Sequence, residues 1–144
     1  MADNQSSSYQ RRGATTGSPE RPAEQLTGAA LTFDLARDIE RLRREQSYQQ
    51  GTRNADTLVH EPDFRIVLVA MKPGARLQEH HAAARISVQT LSGRVQLQLP
   101  DRTIDLPAGH LLALECCIEH DVQALEESAF LLTIAWPGGQ NARG

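Results

Sequence analysis

The chain has no surplus of positive charge, no apolar run long enough to cross a bilayer and no cysteines spaced for a disulfide framework. Each absence removes a class of function. Lys and Arg number 15 against 18 Asp and Glu, a formal net charge of -3. Holding phosphate backbones takes a basic field, so nucleic acid is not an expected partner. A membrane-spanning helix takes about 20 consecutive apolar residues, and nothing here approaches that, so no membrane association is expected. The opening MADNQSSSYQRRG lacks the apolar stretch of a secretory signal. Cys116 and Cys117 are adjacent, and neighbouring cysteines rarely bond each other. They read as reduced thiols, and a cytoplasmic location is expected.

What is present divides the 144 residues, the length of one domain, into four stretches. Residues 1–28 are Ser, Gln, Thr, Gly, Pro and charges, which bury too little apolar surface to offset ordering entropy; a disordered tail is expected. Over 29–54, Leu31, Leu35, Ile39 and Leu42 recur at helical spacing, with Arg37, Asp38, Glu40, Arg41, Arg43 and Arg44 around the rest of the cylinder. Thr32 is the candidate N-cap. Gly51 and Asn54 then mark a turn. The single narrow stripe predicts a helix lying against the outside of something larger, its own domain or, as the alternative, a dimer partner.

From 55 to 137 the period becomes two. Phe64 to Met71 is a β-branched run suited to a central strand, closed by Lys72-Pro73-Gly74. Arg85 to Leu91 is a second strand, and Arg94 to Leu99 alternates cleanly between apolar and polar faces. Thr103–Leu106, Leu111–Leu114, His120–Leu125 and Ser128–Trp136 follow, before a frayed tail over 138–144. Many short strands with turn signals at roughly 8–12-residue spacing predict an all-β sandwich or barrel. The lack of intervening helices of roughly 10–15 residues excludes a parallel βαβ sheet.

Two places resemble the motifs of small single-domain cupins. The first runs from Pro73-Gly74 through five residues to His80-His81, then along Ile86-Ser87-Val88-Gln89-Thr90-Leu91 to Ser92-Gly93. The second is Leu106-Pro107-Ala108-Gly109, followed after ten residues by His120. The fold implied is a double-stranded β-helix, a jelly-roll-like barrel with a site in its mouth, here preceded by one N-terminal α-helix. The resemblance places a metal centre at His80, Ala82, Ile86 and His120, so two of the family's four ligand positions are apolar. It also places the second motif's proline, glycine and proline at Glu115, Cys117 and Glu119.

Several residues are candidates for chemistry. His120 shares a strand face with Val122 and Ala124, so its ring is expected to look inward, as metal ligand or acid/base group. His80 and His81 point to opposite faces of a regular strand. A bulge after Gln78 turns both inward, with Glu79 or Glu119 supplying an oxygen. Ile86, Val88 and Thr90, with Val122, line either a small-ligand pocket or simply the core. Cys116 and Cys117 precede His120 and are candidate nucleophiles or soft ligands, or merely small apolar side chains. His60 and His110 are expected at the surface. Gln96 and Gln98 offer a polar sheet face for a subunit contact, and the resemblance implies a homodimer.

Three functions compete. One is a binding domain holding a divalent metal (Zn²⁺, Fe²⁺ or Ni²⁺) or a small-molecule ligand in the barrel mouth. Another is a metal-free, non-enzymatic sensor or oligomeric structural module. The third is a metal-free, isomerase-like enzyme using His120 as acid and base.

Overall fold

The structure, a computed structural model, describes residues 30–79 and 83–137. The expected disordered head and frayed C-terminal tail lie outside the described residues, and so do His80, His81 and Ala82.

The expected helix forms, but it starts later than Leu31. It runs Leu35–Arg44 (α1), and its N-cap is Asp34, whose carboxylate accepts the Arg37 N–H at 3.1 Å. Thr32, the expected cap, lies before it. The last turn carries Arg41, Arg43 and Arg44, which suit the negative end of the helix dipole. A second short helix not foreseen from the sequence, Gln46–Gln50 (α2), precedes the expected turn at Gly51 and buries Tyr48. Asn54 is not a turn residue. It stands near the start of strand β1 (Arg53–Glu61), where its amide donates to the Leu42 carbonyl at 3.0 Å and the Glu45 carboxylate at 2.9 Å. This tie satisfies a carbonyl of the last helical turn and explains why a polar residue is buried there.

Eight further strands follow: Phe64–Met71 (β2), Arg76–Glu79 (β3), Arg85–Ser92 (β4), Arg94–Gln98 (β5), Thr103–Pro107 (β6), Leu111–Leu114 (β7), His120–Ala124 (β8) and Ser128–Ala135 (β9). They form two antiparallel sheets, ordered β1-β2-β9-β4-β7 and β3-β8-β5-β6. The β1 and β3 strands were not foreseen from the sequence. The fold is the all-β, jelly-roll-like double-stranded β-helix that the resemblance implied.

Strand β2 explains why one run is apolar on both faces. Its odd-numbered residues Val67, Val69 and Met71 face the core between the sheets, with Val88, Val95, Leu97, Val122, Phe130 and Leu132. Its even-numbered Leu68 and Ala70 face outward, beneath Ile39 and Leu42 of α1 and Tyr48 of α2. The helices therefore cover the outside of their own sheet. Tyr48 is pinned at its hydroxyl by Glu127 at 3.1 Å; burial first, and that carboxylate second, raise its pKa.

Register gathers certain strand ends at one end of the barrel. Glu61 pairs with Phe64, Phe64 with Ala135, and Ala135 with Arg85 in one sheet. In the other, Glu79 pairs with His120, and Asp121 with Gln98. The connections from β3 to β4 and from β7 to β8 join the sheets at this same end. It is the mouth of the barrel, and both groups of polar side chains described below stand there.

Candidate functional site at the barrel mouth

His120 opens β8, whose inward residues Val122 and Ala124 belong to the core. The alternation carries the imidazole inward, and His120 is 7% exposed. Its Nδ1 lies 3.0 Å from the Ile118 carbonyl oxygen. A carbonyl only accepts, so Nδ1 carries the hydrogen and, in the neutral ring, Nε2 bears the lone pair. Backbone carbonyls commonly fix this tautomer in histidines that ligate a metal or accept a proton through Nε2. Glu79 is the register partner of His120, and His80 and His81 follow it directly in the chain.

The four expected wall residues divide. Val88 and Val122 are 1% exposed and Thr90 not at all; all three are sealed away from the mouth. Thr90 spends its hydroxyl internally, donating to the Leu106 carbonyl at 3.0 Å. Ile86 alone is partly open, and packs against the core with Leu77, Leu112 and Ile134. The partly buried apolar residues around that core are thus Leu77, Ile86, Leu112 and Ile134.

The loop from β7 to β8 holds the cysteines. Arg85 and Glu115 bridge its start at 3.1 Å, on exposed side chains. The Cys116 N–H first, and then Arg85, lower the Glu115 pKa. The hydrogen bond with Cys117 raises the Cys116 thiol above its ordinary value. A nucleophilic cysteine needs the opposite shift. Cys117 has φ 70°, the one described non-glycine residue with positive φ. It stands where the resemblance places a glycine, so the loop keeps the glycine's backbone without the glycine. Cys117→Gly should therefore raise stability by about 0.5–1 kcal/mol, relief of left-handed strain outweighing the extra freedom of the unfolded chain. The guanidinium midpoint reads this, and an unchanged or lower midpoint would contradict it.

Sequence reasoning missed a second group at the same end. Arg65 is register partner to His60 on β1 and to Ile134 on β9, and shares the inward parity of Val67 and Val69. Its Nη2 lies 3.3 Å from His60 Nε2, and its guanidinium carbon stands 5.1 Å from the centre of the Trp136 ring. His60 is half-buried rather than at the surface as expected, because the β1–β2 register turns it inward. Burial, then the Arg65 charge, lower its pKa, consistent with a neutral ring whose Nε2 accepts from Arg65. The sequence held no clear signal for it, because in a strand apolar on both faces the inward parity of Arg65 is not readable. His110 is exposed.

Among the described residues no three His, Cys, Asp or Glu side chains come together to hold a metal ion. His120 is in place, whereas Ile86 stands where a cupin centre uses a carboxylate. The described donors thus do not fit that four-ligand centre.

No family model and no curated protein matches the chain. Solved structures do. A conserved protein of unknown function from Streptococcus pyogenes aligns over 77% of this chain and 91% of its own, with TM-score 0.63 and 22% identity. An RmlC-like cupin protein from Desulfovibrio desulfuricans aligns over 65% and 91%, with TM-score 0.56 and 24% identity. An oxalate decarboxylase from Bacillus subtilis aligns over 58% of this chain and 25% of its own, with TM-score 0.53 and 21% identity. At these identities the likeness is one of fold. The chain has the fold of a small RmlC-like cupin domain. No helix among the described residues is long and apolar enough to cross a membrane.

Proposed function

We propose that this chain is a binding domain that takes a small ligand in the mouth of its barrel, with His120 Nε2 as a polar anchor. The observation that carries this reading is the Nδ1 contact to Ile118: it fixes the ring and leaves Nε2 as the nitrogen for a ligand. Ile86, Leu77 and Ile134 supply apolar contact beside it. A few convergent polar groups against apolar walls are the usual make-up of a small-molecule site.

A second reading is favoured by the Glu79–His120 register, since His80 and His81 follow Glu79 directly in the sequence. In this form His80, His81 and His120 hold Zn²⁺, Fe²⁺ or Ni²⁺, and the metal supplies a Lewis acid when bound. Elemental analysis after loading with each metal separates the two. Near-stoichiometric metal that is lost in both His80→Ala and His120→Ala establishes the metal-holding form. If no metal is taken up, the ligand form is tested by a thermal-shift screen of small molecules. Compounds that stabilise the wild type should lose their effect in His120→Ala, and equal stabilisation of that variant removes His120 from the site. Either form is compatible with a homodimer in the cytoplasm, a proposal that light scattering and cell fractionation test.

A further inference from the structure

Arg65 is charged at any physiological pH, yet the fold takes it partly out of water without an acid to balance it. It is half-buried on the inward side of β2, and it forms no ion pair among the described residues. Its Nε–H is buried and meets no hydrogen-bond acceptor among the described residues. Trp136, against whose face the guanidinium lies, is 9% exposed, and its indole N–H is also buried and unpartnered. The third polar group, His60, offers Arg65 only a neutral ring nitrogen.

Two unanswered N–H donors on side chains in contact are uncommon, because a buried donor without an acceptor costs the desolvation of that group. An acceptor that arrives from outside is one way in which such a deficit is met. The acceptor needed is anionic, since the uncompensated group is a full positive charge. The neighbouring wall is apolar: Ile134 is the register partner of Arg65, and Ile86 pairs with Ile134 on the next strand. A guanidinium beside an apolar wall suits a carboxylate with a hydrocarbon body better than a small, fully hydrated inorganic anion.

We infer that Arg65, with Trp136 and His60, forms a carboxylate site in the barrel mouth, so that the ligand is a small organic acid held by its carboxylate against Arg65. This rests on the reading of the mouth as a binding site, but not on His120, which stands on the opposite sheet.

Trp136 is the one tryptophan of the chain and lies against Arg65, so its fluorescence reports the site. The full chain is titrated with sodium benzoate and sodium acetate, with sodium chloride at matched ionic strength and inorganic phosphate as comparisons. The expected result is a saturable change with benzoate, weakened at least about tenfold in Arg65→Met and partly recovered in Arg65→Lys. The melting temperature of Arg65→Met is expected to equal or exceed that of the wild type, because a buried donor without an acceptor has been removed. A change lost in Arg65→Met supports the Arg65 site, and its loss or survival in His120→Ala then tells whether the same ligand also uses the His120 anchor. A change kept in Arg65→Met and lost in His120→Ala overturns the Arg65 site and leaves the His120 reading standing. Absence of any saturable change with benzoate and acetate overturns the inference, as does phosphate binding at least as tightly as benzoate. A lowered melting temperature in Arg65→Met overturns it too, by making the arginine structural.

Discussion

Gly93→Ala should destabilise the domain by roughly 3–5 kcal/mol, whereas Gly109→Ala and Gly74→Ala should each cost about 1–2 kcal/mol. The three glycines share one backbone conformation, with φ of 76°, 88° and 84° respectively. The conformational strain of a side chain is therefore the same at all three, and what differs is the space around them. A Cβ on Gly109 or Gly74 meets nothing within 4 Å. On Gly93 it would lie 2.2 Å from the Glu127 carbonyl oxygen, 2.4 Å from Ser128 Oγ and 2.8 Å from Ser128 Cα. Two of those atoms are backbone and cannot swing aside. The third is the fully buried Ser128 hydroxyl, which accepts the Arg94 N–H at 3.0 Å and contacts the Glu126 carbonyl at 2.7 Å. Relief of the clash therefore means prising β4–β5 away from the start of β9, on top of the strain. Guanidinium denaturation of the three alanine variants checks this. Equal losses would show that strain alone governs these turns, and that the close approach at Gly93 relaxes freely.

Two of these three glycines show how far the sequence could be read. Leu91-Ser92-Gly93 and Pro107-Ala108-Gly109 marked the ends of strands correctly, because a positive-φ turn strongly favours glycine, Cys117 being the exception. Strands with one open face were also legible: β5 alternates because Val95 and Leu97 face the core while Arg94, Gln96 and Gln98 do not. Strand β1 escaped because Asn54, Asp56 and Thr57 are polar and yet buried, at 5–6% exposure. Asn54 reads locally as a turn residue, and such polar positions do not show the apolar alternation that marks a strand. Helix α1 was legible as an apolar stripe, but its start was not. Thr32 and Asp34 are both able to cap, and the choice falls on the residue from which the stripe of Leu35, Ile39 and Leu42 meets β2.

For the site, the legible part was the inward position of His120, which follows from alternation with Val122 and Ala124. The Arg65 group was hidden by β2 itself. With both faces covered, Phe64 to Met71 shows no alternation, so the run does not declare which side faces the core. An arginine near its start then passes for the ordinary polar end of a strand. Register reveals otherwise, placing Arg65 between His60 and Ile134 on the inward side. Trp136 was hidden in the same way. It follows the last residue of β9, and its backbone N–H donates to the Asp63 carbonyl at 3.1 Å, one residue beyond the Phe64–Ala135 pair.

Phe130→Ala should cost about 3–5 kcal/mol, the usual range for truncating a fully buried aromatic. Phe130 is not exposed at all, and it is the one aromatic in the cluster between the sheets. The rest of that cluster is Val, Leu, Met and Ala on strands fixed by their ladders, so no neighbour is long and loose enough to fill the space, Met71 excepted. Its strand makes the loss worse. β9 lies between β2 and β4, so a collapse of the cavity would pull on both partners. The same strand continues through Ile134 to Trp136, which means that a shift at Phe130 is transmitted to the wall of the mouth and to the ring under Arg65. Leu111→Ala is the matching control, since Leu111 is 63% exposed and its truncation should change stability by no more than about 0.5 kcal/mol. Because a domain of this size is stable by only about 5–15 kcal/mol, Phe130→Ala should shift the guanidinium midpoint strongly and weaken benzoate binding as well. A midpoint lowered as expected, with binding unchanged, would show that the mouth is held by its own hydrogen bonds and not by the core beneath it. A loss below about 1 kcal/mol would mean that Met71 and the flanking valines close the cavity, and that the core is less rigid than its packing indicates.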